Sequence, residues 1–203
     1  MPLKQHWETV YSTKPSTNVS WYAPHLVSSL ALIERAAPDH QARIIDVGGG
    51  ASTLVDDLLE RGYRALTVLD VSEEALRVAQ KRLGARAAEV AWLAADVTRA
   101  DLPAAHYDVW HDRAVFHFLT DPGDRQRYVE RVLRAVKPGG HVIVAAFGPQ
   151  GPERCSGLEV VRYDAEGLHQ QFGAPFQKID SLRELHATPW GSEQEFVYCY
   201  CLK

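Results

Sequence analysis

The sequence predicts a single doubly wound α/β domain, and three observations carry that prediction. Short β-rich apolar runs alternate in strict order with amphipathic helical stretches. Three consecutive predicted strands end in aspartate, and the first of them runs into three glycines. Strict alternation means βαβ units, hence a largely parallel sheet with both faces covered. A chain of 203 residues that is 46% hydrophobic suits one sizeable core rather than two.

ARIIDVG (42–48) reads as a buried strand, and STLVDDLLERG (52–62) as a helix with Leu54, Val55, Leu58 and Leu59 on one stripe and Gly62 as its stop. ALTVLD (65–70) is a second strand. SEEALRVAQKRLG (72–84) follows as a helix, with Ser72 as N-cap, acids in its first turn, and Lys81 and Arg82 near its end. VAWLAAD (90–96) and YDVWHD (107–112) are the third and fourth strands. DRQRYVERVLRAV (124–136) is a helix closed by KPGG, and HVIVAAF (141–147) is a fifth strand. Beyond DAEGLHQQFG (164–173) come two longer alternating strands, near 176–187 and 193–202, joined by the turn-rich TPWGSE as an edge hairpin. An amino-terminal extension, HWETVYSTKPSTNVSWYAPH, leads into a helix near 24–36 that stops at Pro38.

Composition excludes several classes. A net charge of −4 without a Lys/Arg cluster argues against nucleic acid as a partner. MPLKQHWETVY lacks the apolar core of a signal peptide, and no apolar run reaches membrane-spanning length. Cys199 and Cys201 would share a strand face at a separation unsuited to a disulfide, and with Cys155 they make an odd set. A reduced, cytoplasmic protein is expected. Neither CxxC nor HExxH occurs, so no metal is expected.

In a doubly wound sheet, ligands bind at the carboxyl ends of the strands, where the strand order reverses. Gly48, Gly49 and Gly50 fall there. The dinucleotide fingerprint fails, because its third glycine position is Thr53. Asp46, Asp70 and Asp96 form an acidic rim that repels a pyrophosphate and suits a ligand bearing a sulfonium, an ammonium, a ribose diol and an adenine amino group.

IIDVGGGAST, LTVLDVS, WLAADVT, YDVWHDRAVFHFL and LRAVKPGGHVIVAAF, in that order over roughly residues 42–147, resemble the motif series of class I S-adenosylmethionine (SAM)-dependent methyltransferases of small bacterial type. The family's loop often carries a third glycine where this chain has Ser52, a change that is tolerable if Ser52 caps the next helix. The resemblance implies a Rossmann-like, seven-stranded, mostly parallel sheet with an antiparallel terminal hairpin. It implies one domain over residues 1–203: a lid and helix at 1–37, a cofactor core at 42–147, and a substrate-side loop with the terminal strands at 148–203. SAM is the implied cofactor and S-adenosylhomocysteine (SAH) the product. Asp46, Gly48, Gly49 and Gly50 then line the methionyl end, Asp70 binds the ribose hydroxyls, and Val71 packs on adenine. Asp96 accepts from the adenine amino group beside the Val97 N–H, and His111 offers its backbone carbonyl to the methionyl ammonium. Asp70 also reads as a charge at a helix start, and Asp96 as a turn residue.

Methyl transfer from a sulfonium is a direct displacement, so the protein chiefly aligns the reactants. HDRAVFHFL (111–119) is the expected source of polar groups on that line. Arg113 and His117, four apart, share a face in a helical turn, and Asp112 can orient either. The competing reading makes Asp112–Arg113 a surface pair and His117 a hydrogen-bonded core histidine. Trp7, Tyr11, Trp21 and Tyr22 stud the polar extension; Tyr11 and Trp21 are expected to close over the cofactor. FGPQGPERCSG (147–157) should border the substrate mouth. Lack of an added recognition domain favours a small-molecule acceptor. The HDRAVF segment is similar to the Asp-Lys-Gly-Thr-Phe run of elongation-factor lysine methyltransferases, which makes a protein lysine the runner-up; SAM binding without turnover is a third reading. Monomer and homodimer are both compatible with the sequence.

Overall fold

A computed structural model describes residues 3–203. Helices α1 (Leu3–Thr13) and α2 (Val27–Ala36) precede β1 (Arg43–Val47), α3 (Leu54–Glu60), β2 (Ala65–Asp70), α4 (Glu73–Leu83), β3 (Val90–Ala94) and β4 (Tyr107–Arg113). A 3-10 turn (Phe116–Phe118) leads to α5 (Pro122–Ala135) and β5 (Val136–Phe147). The small hairpin β6 (Arg154–Cys155) and β7 (Leu158–Glu159), helix α6 (Ala165–Phe172), β8 (Gln177–Ala187) and β9 (Glu193–Leu202) complete the chain.

Seven strands form one sheet in the order β3-β2-β1-β4-β5-β9-β8, parallel from β3 to β5, with β9 antiparallel to β5 and to β8. Successive strand residues point to opposite faces. Ile44, Val68, Val109 and Ile143 therefore enter one core with α2 and α3, while Ile45, Leu69, Trp110 and Val144 enter the other with α5 and α6. Burying each such aliphatic side chain contributes about 1.5–3 kcal/mol.

Capping follows the sequence. Ser72 accepts the Ala75 N–H at 3.1 Å to start α4. Asp121 accepts from Gly123 and Asp124 to start α5, with Pro122 in its first turn, two residues earlier than predicted. The KPGG segment does not close that helix: β5 begins at Val136, and Gly139 turns within it at φ +75°. The larger difference is α1, since residues 3–13 are helical where the sequence reads as a polar extension. Cys155, Cys199 and Cys201 are free and buried.

Candidate active site

The strand order reverses between β1 and β4, and the loops after these two strands diverge to leave a crevice. The glycine loop sits there. Gly48 takes φ +70° and donates its N–H to the Leu69 carbonyl at 2.7 Å. A Cβ on Gly48 would strike Val115; on Gly49, the Asp46 carboxylate; on Gly50, the Asp70 carboxylate and, at 2.8 Å, the Ala75 methyl. The side-chain-free run thus lets two carboxylates fold back over the loop that follows β1. Ser52 Oγ accepts the Leu54 N–H at 3.2 Å, but the N-cap of α3 is Thr53 rather than Ser52, and the Thr53 hydroxyl donates to the Ala23 carbonyl instead of capping the helix.

Asp46 and His111 are register partners on β1 and β4, and His111 Nδ1–H donates to Asp46 Oδ1 at 2.7 Å. Asp46 Oδ2 is buried with no hydrogen-bond partner among the described residues. His111 Nε2 lies 2.9 Å from Ser29 Oγ, which is 3.2 Å from the Tyr198 hydroxyl, which donates to Glu184 Oε2 at 3.2 Å. A continuous polar chain thus crosses one core layer from the glycine loop to the edge hairpin.

Asp70 is 6% exposed, with Oδ1 accepting the Ser72 N–H at 2.9 Å. Burial pushes its carboxyl up to about 7; the Ser72 N–H opposes the rise, and the charges of Asp46 and Glu8 add to it. Asp96 lies two residues beyond the end of β3 rather than on it as expected; it accepts the N–H and hydroxyl of Thr98 at 2.9 and 2.7 Å and keeps a half-exposed side chain.

Asp70 and Asp96 border a cleft that is partly open to solvent. Gly48, Asp70, Val71, Asp96 and Val97 line one side of it. Trp7, Tyr11, Trp21, Phe118 and Cys155 line the other. Ring centroids of Trp7 lie 5.6 Å from Trp21 and 5.2 Å from Phe118, and Tyr11 lies 6.3 Å from Trp21, mostly edge to face. A second chamber sharing Tyr11, Trp21, Gly48 and Arg113 reaches Asp46, His111, Ser52 and Tyr22.

Of the three residues expected on the transfer line, only Arg113 borders the cleft. Its guanidinium is already engaged, donating to the Tyr198 hydroxyl (3.2 Å), the Trp21 carbonyl (3.3 Å) and Glu184 (3.1 Å), and it stacks over Phe196 at 4.1 Å. Asp112 is corrected: it is fully buried and accepts from Val115 N (2.8 Å), Phe116 N (3.1 Å) and the Tyr128 hydroxyl (2.6 Å), which fixes the turn after β4. Burial pushes its carboxyl up to about 7, with the Tyr128 hydroxyl pulling it back. His117 is also corrected and takes the core-histidine alternative. Its Nδ1 accepts the Phe147 N–H at 3.2 Å, its ring stacks on Phe147 at 4.4 Å, and burial lowers it to about 3, so it stays neutral. Arg113 and His117 do not share a helical face, because Arg113 still belongs to β4 and only Phe116–Phe118 turn.

Glu8, Ser29, Val115, Phe118 and Leu119 are not among the residues to which the sequence points, and Trp7 stands there only as one of four aromatics in the extension. A Leu3, Trp7, Tyr11 repeat at four-residue spacing was the available signal for α1. Nothing local marks Ser29, whose partners lie 82 and 169 positions away. Among the described residues, no group of three or more His, Cys, Asp or Glu side chains is arranged to hold a metal ion, and no helix is long and apolar enough to cross a membrane.

A family profile described as a methyltransferase domain matches residues 44–140. The eEF1A lysine and N-terminal methyltransferase of Mus musculus is 26% identical over 144 residues, which cover 68% of this chain and 20% of that protein. An uncharacterized methyltransferase of Mycobacterium tuberculosis is 32% identical over 117 residues, 58% of this chain and 56% of that one. The chain thus spans about a fifth of the mouse protein and about half of the mycobacterial one. In fold, it is similar to the N-methyltransferase NodS of Bradyrhizobium japonicum, solved with SAH, at a TM-score of 0.72 and 14% identity over 97% of each chain.

Proposed function

We propose that the chain is a class I SAM-dependent methyltransferase that transfers a methyl group by direct displacement to a small-molecule acceptor. The observation that carries this reading is the meeting of Asp46, Asp70 and Asp96 with the glycine loop under an aromatic wall. The donor set fits SAM. Asp70 has one oxygen held by Ser72 and another turned over the loop for a ribose diol, and the unpartnered Asp46 Oδ2 suits an ammonium. Asp96 has a half-exposed carboxylate for an adenine amino group, and Val71 and Val97 supply apolar surface for the base. When bound, SAM supplies an activated methyl and a good leaving group.

The chain's own residues bind, orient and exclude water. Trp7, Tyr11, Trp21 and Phe118 screen the cleft, and Arg113 fixes the Trp21 backbone above it. No general base is assigned, because Arg113, Asp112 and His117 are committed to the fold. Of the expected 1–37 segment, residues 1 and 2 lie outside the described residues; 3–37, 42–147 and 148–203 serve on this reading as the wall, the cofactor core and the acceptor side of a single domain. Three free cysteines support a cytoplasmic setting.

A protein-lysine acceptor is the second reading, favoured by the mouse relative's 68% coverage of this chain. Following SAM demethylation with metabolite and protein-lysate pools tests both. Methylation of metabolites supports the first reading and labelling of a protein band the second; SAH binding without turnover in either pool would leave a binding protein. Tighter calorimetric binding of NAD than of SAH would overturn the family-based reading of the site.

A further inference from the structure

α1 carries two of the aromatic rings that wall the cleft, yet it is a lone helix with one buried residue, Val10. Eleven residues is too short to hold a helix in water without tertiary contacts. Its polar attachment is concentrated at one side chain. Glu8 Oε1 accepts the Glu73 N–H at 2.8 Å, and Glu8 Oε2 accepts the Glu74 N–H and the Ser72 hydroxyl, both at 3.1 Å. These donors belong to the first turn of α4, whose unpaired N–H groups and dipole favour an anion. Ser72 is the shared node: its own N–H goes to Asp70, and its hydroxyl both caps Ala75 and reaches Glu8. Trp7 and Tyr11, one residue before Glu8 and three after, line the cleft.

We propose that Glu8 is a positioning residue that registers the aromatic wall over the cofactor cleft by capping α4 from the opposite helix. The proposal rests on the methyltransferase reading for what occupies the cleft, but the attachment itself does not. Lys4–Glu73, at 2.8 Å, is an exposed ion pair on the same interface and adds little. Glu8 therefore sets where Trp7 and Tyr11 stand, and through Ser72 it does so at the residue that also holds Asp70.

The test uses the full chain with Glu8→Ala, Glu8→Gln and the control Lys4→Ala. Hydrogen exchange is followed on residues 3–13 without ligand, and SAH association and dissociation by stopped-flow tryptophan fluorescence. Glu8→Ala should lose exchange protection across 3–13 while the sheet keeps its own, and should release SAH about tenfold faster with an association rate near wild type. Glu8→Gln, which keeps the shape but not the charge, should fall between, and Lys4→Ala should match wild type. Unchanged protection and unchanged release in Glu8→Ala would overturn the proposal, as would an equal effect from Lys4→Ala. Wild-type protein that binds no SAH would refute the methyltransferase reading instead, and the ligand-free exchange would still decide the role of Glu8.

Discussion

Replacing Asp70 by Asn removes a charge and almost none of the shape of the side chain, so two consequences of opposite sign can be separated. Toward ligand, the Asp70 carboxylate is the proposed acceptor for a ribose diol, with Oδ1 already taking the Ser72 N–H. An amide can accept with only one of its two heads, and losing a charge-assisted hydrogen bond costs about 1.5–3 kcal/mol, or roughly ten- to a hundredfold in SAH affinity. Toward folding, the sign reverses. Asp70 titrates near 7 in the fold against an ordinary 3.8, because it is buried beside Asp46 and Glu8. The native state therefore binds its proton more tightly than the unfolded chain. Its contribution to stability is full below about pH 4 and declines as pH rises to about 7. Above that, the buried charge costs up to about 4 kcal/mol, a ceiling that Asn escapes. At pH 8, Asp70→Asn should raise the urea midpoint of the ligand-free protein while calorimetry shows weaker SAH binding. Wild-type affinity should rise with pH through about 7, and the variant's should stay flat. An unchanged SAH affinity together with a lower urea midpoint would refute this reasoning and leave Asp70 as a cap for the Ser72 turn.

His111→Phe should destabilise the fold by about 3–5 kcal/mol in urea titration, since Asp46 would keep a buried carboxylate with neither oxygen paired. Gly50→Ala should cost about 1–3 kcal/mol and also weaken SAH binding, because the new methyl displaces Asp70; weaker folding with intact binding would show that Asp70 relaxes without loss. SAH should raise exchange protection over residues 6–22, and Tyr11→Ala should reduce turnover more than binding once an acceptor is found; equal protection with and without SAH would mark the segment as fixed packing.

The first half of the sheet was legible because β1 and β2 are short apolar runs closed by a residue with a local job, Asp46 before the glycines and Asp70 before Ser72, and because Gly62 and Gly84 follow α3 and α4. Ser72 and Asp121 also act within three residues of themselves. Helix α1 was not legible because Thr9, Ser12 and Thr13 dilute its propensity and its anchor is a carboxylate that accepts from the first turn of another helix 65 residues away. The acceptor-side residues failed for a related reason. Four-residue spacing is informative only inside a helix, and the chain between Arg113 and His117 passes from strand to turn. Neither Asp112 nor His117 carries a local sign that its partners would be the backbone of its own turn and of β5.

The polar chain from Asp46 through His111, Ser29 and Tyr198 to Glu184 bears on how this sequence can drift. Its five members come from β1, β4, α2, β9 and β8, so no single duplication or loop exchange carries the set. Each member is largely hidden from water, and replacing one strands the next, whereas replacing neighbours together can restore a consistent interior. Ser29 and Tyr198, 169 positions apart, should therefore be strongly epistatic in a double-mutant cycle. Lineages that lose one should be found to have changed the other, and a chimaera that grafts a foreign terminal hairpin onto this core would leave the interior Ser29 hydroxyl with His111 as its one remaining partner in that chain.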